Sequence, residues 1–142
     1  MAEILALDTS ACFALLENEA GADLVESALL AAREGRTTIH ASFATLAEVE
    51  YVITQERGAV DADLALAKMS AWPVRWLHSD ATLCRAAAKL KAANKISFAD
   101  AFVAATAQRF EATLVHKDPE FRVLAGVVKQ QLLPPKSGAL GS

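Results

Sequence analysis

Short apolar runs, each followed by polar residues and then a long helical stretch, are the feature that most constrains this chain. Residues 4–7 form the first run, and Asp8, Thr9 and Ser10 follow it as residues that favour a helix start. Three further runs stand at residues 37–40, 74–77 and 113–115. Strands that alternate with helices predict a parallel sheet with helices on both faces. We therefore expect an α/β fold, a single α/β/α domain of four to five strands, with the fifth at Val127 and Val128.

The stretches between the runs have helical spacing and helix stop signals. Residues 11–33 predict two helices with a break at residues 18–21, and further helices are expected at residues 42–56, 61–71, 80–93 and 98–108. A length of 142 residues is that of one domain. We expect this domain to span residues 1–130, with a flexible C-terminal tail over residues 131–142.

Composition narrows the class of protein. Hydrophobic types make up 54% of the residues but aromatic types only 6%. Apolar side chains of which so few are aromatic suit close helix packing and disfavour a mostly β fold. No apolar run approaches the ~18 residues needed to cross a bilayer. The N-terminus lacks a basic start and carries an acid at position 8, unlike a signal peptide. These patterns predict a cytoplasmic protein without a membrane partner.

Charge and cysteine content exclude some kinds of site. Cys12 and Cys84 have no CxxC or Cys/His spacing, so neither a disulfide framework nor a zinc site is indicated. The net charge of −3 lacks the broad positive field of a nucleic-acid-binding protein. A role on nucleic acid would need local compensation, which a divalent cation held by clustered acids would supply.

Acidic residues stand where the predicted strands end. Asp8 closes the first strand and Asp118 follows the fourth, so a parallel sheet brings both to one edge. Asp100 lies in the first turn of the helix that Ser97 opens, and the helix after the second strand also begins at this edge. Like charges so placed repel unless a cation joins them, and oxygen ligands suit Mg²⁺ or Mn²⁺. The arrangement predicts a divalent metal site.

Each acid also has an ordinary structural explanation. Asp100 with Ser97 fits a capping box, Asp8 fits a helix cap, and Asp118 before a proline fits a turn. In the helix after the second strand, Glu50 lies closer than Glu48 to the apolar stripe. Periodicity alone does not choose between these two glutamates.

Four segments together resemble the PIN-domain family. They are Leu5-Ala6-Leu7-Asp8-Thr9-Ser10, Thr45-Leu46-Ala47-Glu48-Val49, Phe98-Ala99-Asp100-Ala101-Phe102-Val103-Ala104-Ala105-Thr106-Ala107 and Leu114-Val115-His116-Lys117-Asp118-Pro119-Glu120-Phe121. More narrowly, the chain looks like a VapC-type toxin, the ribonuclease half of a bacterial or archaeal toxin–antitoxin pair. The resemblance runs in order from about residue 3 to residue 124, and its third segment is the most specific.

The resemblance implies a site, a reaction and partners. Its catalytic and metal-binding acids fall on Asp8, Glu48, Asp100 and Asp118, with Glu120 as an accessory, peripheral acid. The residues themselves add two accessory candidates: Thr9, whose hydroxyl directly follows Asp8 and can orient a metal-bound water or a neighbouring carboxylate, and His116, whose ring can contact a phosphate. It implies a hydrolase that uses one or two Mg²⁺ or Mn²⁺ ions to cleave RNA, leaving a 5′-phosphate and a 3′-hydroxyl. An antitoxin protein and a homodimer are the further partners implied. This chain departs from the family pattern at His116, where Thr or Ser is usual, and at Val52, where a small residue is common.

Two other functions remain as alternatives. A receiver-like phosphoacceptor module is also small, doubly wound and Mg²⁺-binding, but it would need paired acids after the first strand and an Asp after the third. Here Asp8 is single and the third strand ends in Leu77-His78. The second alternative is a PIN-like module that binds RNA or protein without cleavage, and the presence of all four acids argues against it.

Overall fold

The computed structural model describes residues 3–135 and contains a parallel sheet with helices on both faces. Its strands are β1 (Glu3–Leu7), β2 (Thr37–Ser42), β3 (Arg75–Leu77), β4 (Thr113–His116) and β5 (Lys129–Leu132). Its helices are α1 (Thr9–Leu16), α2 (Ala22–Arg33), α3 (Phe43–Arg57), α4 (Ala59–Ser70), α5 (Ala81–Ala93) and α6 (Phe98–Arg109), with a short 3₁₀ helix at Pro119–Leu124. The predicted α/β class is confirmed.

The sheet has the order β3-β2-β1-β4-β5, with every pair of neighbours parallel. Strand β1 therefore lies between β2 and β4. A receiver-like domain has the order 2-1-3-4-5, in which the first strand lies between the second and the third. The topology contradicts the receiver-like alternative, and it places the ends of β1 and β4 side by side.

The sheet separates two hydrophobic cores. In β1, Leu5 and Leu7 contribute to the core under α1 to α4, whereas Ala6 contributes to the core under α5 and α6. Both faces of β1 are thus covered, which explains why its sequence is a continuous apolar run rather than an alternating one. Every residue from 100 to 107 of α6 is buried, and most of them are small. The alanine-rich composition lets this helix lie close against the sheet.

The fifth strand differs from its prediction. Val127 and Val128 both donate their backbone N–H groups to Leu124 O and so belong to the turn after the 3₁₀ helix. The strand itself is the polar segment Lys129–Leu132 at the edge of the sheet. Hydrogen bonding to β4 defines this strand, and an edge position with exposed side chains does not require apolar residues.

The C-terminal boundary also differs from the expected one. Residue 130 falls inside β5, and beyond it Leu133 is buried and donates its N–H to His116 O at 2.8 Å. The folded part therefore extends at least to Leu133. Residues 136–142 of the predicted flexible tail lie outside the described residues. Within residues 3–135, no helix has the length and apolar character needed to span a membrane.

Candidate active site

Asp8 lies directly after β1 and is buried, with 2% of its surface exposed. Its backbone N–H bonds to Val115 O of β4 at 3.1 Å, and its side chain caps α1. Oδ2 accepts two hydrogen bonds, from Ser10 N at 3.1 Å and from Ser10 Oγ at 2.6 Å, whereas buried Oδ1 has no hydrogen-bond partner within residues 3–135. Burial raises the pKa of Asp8, the hydrogen bonds from Ser10 oppose the rise, and the charge of Glu48 adds to it.

Glu48 reaches the same edge from α3, whose start is capped by the Ser42 hydroxyl. Its Oε1 accepts a hydrogen bond of 2.6 Å from Thr9 Oγ1, and Thr9 Oγ1 also lies 3.1 Å from Thr45 Oγ1. Glu50 is exposed. The structure thus brings Glu48 to Asp8 and leaves Glu50 outside, although helical periodicity left the two open. It also places the Thr9 hydroxyl on a neighbouring carboxylate.

Thr45 is a residue of this site that the sequence reasoning missed. Its side chain is fully buried, one turn of α3 before Glu48. Residues three apart share a helix face, so a threonine at that spacing from the glutamate was the available signal.

Asp100 occupies the first turn of α6 and is 6% exposed. Ser97 caps the helix by accepting Asp100 N at 3.1 Å, but the Asp100 carboxyl is hydrogen-bonded to Glu120 instead of completing a capping box. Burial above all raises the pKa of Asp100 to about 9, and the bond to Glu120 and the charges of Asp8, Asp118 and Glu120 add to the rise.

Asp118 and Glu120 lie in the turn after β4. Asp118 Oδ1 accepts Glu120 N at 2.9 Å and caps the 3₁₀ helix. One carboxylate oxygen from each of Asp100, Asp118 and Glu120 lies within 4.8 Å of the other two. Glu120, expected only as an accessory residue, is therefore a full member of this group. We call Asp8, Glu48, Asp100, Asp118 and Glu120 together the acidic cluster.

His116 is buried beside the turn that carries Asp118. The ring is 2% exposed, Nδ1 accepts the Asp118 N–H at 3.0 Å, and Nε2 lies 2.8 Å from Gln130 Oε1. Because Nδ1 accepts and an amide oxygen accepts from Nε2, the ring carries its proton on Nε2. Both nitrogens are thus used within the protein. His116 supports the turn that carries Asp118, and neither ring nitrogen is left free to contact a phosphate.

Gln130 completes this support. Its Nε2 donates to Phe121 O at 2.8 Å, so the side chain joins β5 both to His116 and to the 3₁₀ helix. No sequence motif singles out this glutamine. It would have been found only by knowing that β5 pairs with β4.

A cleft of about 650 Å³ is lined in part by Ser10 and Lys117, which lie close in sequence to Asp8 and Asp118. Its lining includes Ser10, Phe13, Val52, Lys117 and Pro135. Lys117, directly before Asp118, forms a 3.4 Å ion pair with Glu19 in this lining. The cleft provides space for a ligand to approach the strand ends.

The donor atoms of the acidic cluster fit a hard divalent cation. All are carboxylate oxygens, the ligands typical of Mg²⁺ and Mn²⁺. The buried Asp8 Oδ1 lacks a hydrogen-bond partner within the part of the chain that the structure describes, and such an atom is costly to bury. The raised pKa of Asp100 shows that its charge is poorly compensated by the protein alone. A bound cation would resolve both problems.

Comparisons with known proteins agree with this geometry. The family model described as "PIN domain" matches residues 5–127. The structure is similar to that of VapBC2 from Rickettsia felis, which is described as bound to a DNA fragment from the VapBC2 promoter. The TM-score is 0.73 and the identity 20%, over 92% of this chain and 99% of that chain. It is also similar to Mycobacterium tuberculosis VapC20, described as a Sarcin-Ricin loop cleaving toxin, with a TM-score of 0.68 and 23% identity over 93% of this chain and 100% of that chain.

A third similar structure is PAE2754 from Pyrobaculum aerophilum, with a TM-score of 0.61 and 20% identity over 92% of each chain. At these identities the similarities establish the fold. No curated protein matches the sequence.

Proposed function

This chain belongs to the PIN-domain family, and from that premise we propose that it is a metal-dependent ribonuclease that hydrolyses RNA phosphodiester bonds. The observation that carries the proposal is the convergence of five carboxyl groups in which Asp8 Oδ1 is buried without a partner and the pKa of Asp100 is raised to about 9. Such a cluster is unfavourable as a purely structural feature and favourable as a cation site.

Asp8, Glu48, Asp100 and Asp118 would hold one or two Mg²⁺ or Mn²⁺ ions, with Glu120 beside Asp100. Bound ions of this kind activate water for in-line attack on a phosphodiester and stabilise the departing 3′ oxygen. The side chains of this chain set the geometry: the Thr9 hydroxyl orients Glu48, and Asp118 is fixed by its turn. Water is the nucleophile, so no covalent enzyme intermediate is required.

We propose further that the chain is the toxin of a toxin–antitoxin pair. Several proteins with this fold are described as VapBC or toxin–antitoxin complexes, and VapC20 is described as a toxin that cleaves its target. An antitoxin protein is then the expected partner, a homodimer the expected assembly, and the cytoplasm, where RNA is abundant, the expected location.

The experiment is single-turnover cleavage of a structured RNA with Mg²⁺, with Mn²⁺ and with a chelator. Asp8→Asn is expected to abolish cleavage while the protein stays folded, because the change removes one charge from a repelling group. Asp63→Asn is the matched control, since Asp63 is an exposed acid on α4. Unchanged cleavage in Asp8→Asn would contradict the site, and RNA binding without cleavage in any metal would favour a silent interaction module.

A further inference from the structure

We propose that Ser10 is a positioning residue that determines which oxygen of Asp8 binds the divalent cation. Its hydroxyl also fixes Asp8 relative to the turn that carries Asp118. This inference rests on the proposed function, because it concerns the same metal site. Helix capping alone is the role that the sequence indicates for a serine at this position.

The first observation is the unequal use of the two Asp8 oxygens. Ser10 supplies both hydrogen bonds to Oδ2, from its backbone N at 3.1 Å and from its Oγ at 2.6 Å. Buried Oδ1 receives none from residues 3–135. Because Oδ2 is already satisfied, Oδ1 is the oxygen left to bind a cation.

The second observation is that the same hydroxyl joins two distant parts of the chain. Ser10 Oγ accepts the Lys117 N–H at 2.9 Å, across 107 positions of sequence. A serine hydroxyl has a single hydrogen, and here it points to Asp8 while a lone pair receives Lys117 N–H. The direction of both bonds is therefore fixed. Asp118 follows Lys117, so the Ser10 side chain adds a link between the acid after β1 and the acid after β4 to the backbone pairing of the two strands.

The capping function and the positioning function can be separated by mutation. In Ser10→Ala the backbone N–H that caps through Asp8 remains, and alanine favours helix, so the variant is expected to fold. Only the two hydroxyl bonds are lost. Ser10→Thr keeps the hydroxyl, and the added methyl group has room because Ser10 lines the cleft of about 650 Å³.

The test measures Mn²⁺ binding to the full chain without RNA. Binding is detected by electron paramagnetic resonance of the free ion, at a temperature well below that of unfolding. Ser10→Ala is expected to raise the Mn²⁺ dissociation constant by about 10- to 100-fold, the usual effect of losing a group that orients a metal ligand. Ser10→Thr should restore wild-type binding. Ser70→Ala is the matched control, because Ser70 is an exposed α4 serine that bonds only its own helix.

RNA cleavage gives a second readout. For Ser10→Ala the single-turnover rate should fall at low Mn²⁺ and recover at saturating Mn²⁺, with the RNA dissociation constant unchanged. A general loss of structure would lower the melting temperature without this recovery.

The outcomes separate the two proposals. Wild-type Mn²⁺ affinity in Ser10→Ala, or a loss that Ser10→Thr does not restore, would overturn the role of Ser10 alone. Mn²⁺ binding that depends on the Ser10 hydroxyl in a chain that cleaves no RNA would support Ser10 and overturn the ribonuclease. A wild-type chain that binds no Mn²⁺ would overturn both.

Discussion

The acidic cluster has two halves that are held in different ways. In the first half, Asp8 and Glu48 each accept a 2.6 Å hydrogen bond from a neighbouring hydroxyl, from Ser10 and Thr9 respectively. In the second half, one carboxylate oxygen from each of Asp100, Asp118 and Glu120 lies within 4.8 Å of the other two. Hydroxyl groups of the protein orient the first half, in which Asp8 Oδ1 receives no hydrogen bond from residues 3–135. The second half needs a proton or a cation to offset the repulsion.

The strongest test of this comparison is Asp100→Asn. The change should abolish metal-dependent cleavage, because a carboxylate ligand is lost from the second half. Without metal it should raise the melting temperature at neutral pH, since the amide can donate to Glu120 as the protonated acid does, without the free-energy cost of protonating Asp100 on folding at that pH. Cleavage assays and thermal melts in chelator measure both effects. A melting temperature well below that of the wild type would contradict the repulsion argument.

The first half is tested by comparing Glu48→Gln with Glu50→Gln. Glu48→Gln should lose most metal-dependent cleavage, because it removes a charge that Thr9 holds at the site. Glu50→Gln should change cleavage little, since Glu50 is exposed on the same helix. Mn²⁺ affinity and cleavage rate, measured for both variants, show which glutamate serves the metal site. A larger loss from Glu50→Gln would show that the second acid was assigned to the wrong position.

The pH dependence of stability should reveal the raised pKa of Asp100 in the second half. The pKa of Asp100 is about 9 in the folded protein and 3.8 in the reference state, so the folded protein holds this proton more tightly. The resulting stability is fully present below about pH 4 and is lost as pH rises towards 9. In chelator, the melting temperature of the wild type should therefore fall between pH 5 and pH 8 more steeply than that of Asp100→Asn. Parallel profiles would contradict the raised pKa.

A smaller effect is expected from Gln130→Ala. The change leaves the buried His116 Nε2–H without its partner, which costs about 1–3 kcal/mol of folding free energy. It also loosens the turn that carries Asp118 and Glu120, so cleavage should fall moderately. Gln131→Ala is the matched control, because Gln131 is the exposed neighbour in β5. Equal melting temperatures for the two variants would show that His116 does not depend on Gln130.

Much of the fold follows from local sequence. The apolar run that ends at Asp8 predicts β1 because both faces of that strand are buried, and Ser97 predicts the start of α6 because it caps the helix. The edge strand β5 was misplaced onto Val127 and Val128, since its polar residues carry no periodic signal and its position depends on β4. Local pattern thus predicts elements that are buried or capped, and misses one defined by its neighbour.

In the candidate site, too, local pattern predicts some residues and misses others. Position at strand ends brought Asp8 and Asp118 to one edge, but family resemblance was needed to prefer Glu48 to Glu50. Thr45 and Gln130 were not found, because their contacts to Thr9 and His116 join elements far apart in sequence. Which oxygen of a carboxylate is satisfied depends on three-dimensional contacts that no one-dimensional pattern records.

The two ends of the described chain lie in unlike surroundings, and this matters for any fusion protein. Glu3 begins β1 at the edge of the sheet opposite to Asp8, whereas Pro135 lines the same cleft as Ser10 and Lys117. An affinity tag joined before Glu3 starts away from the acidic cluster. A reporter inserted directly after Pro135 would start beside the lining of the cleft, where it would compete with a ligand for the same space. Of these two junctions, the one before Glu3 therefore leaves the cleft free.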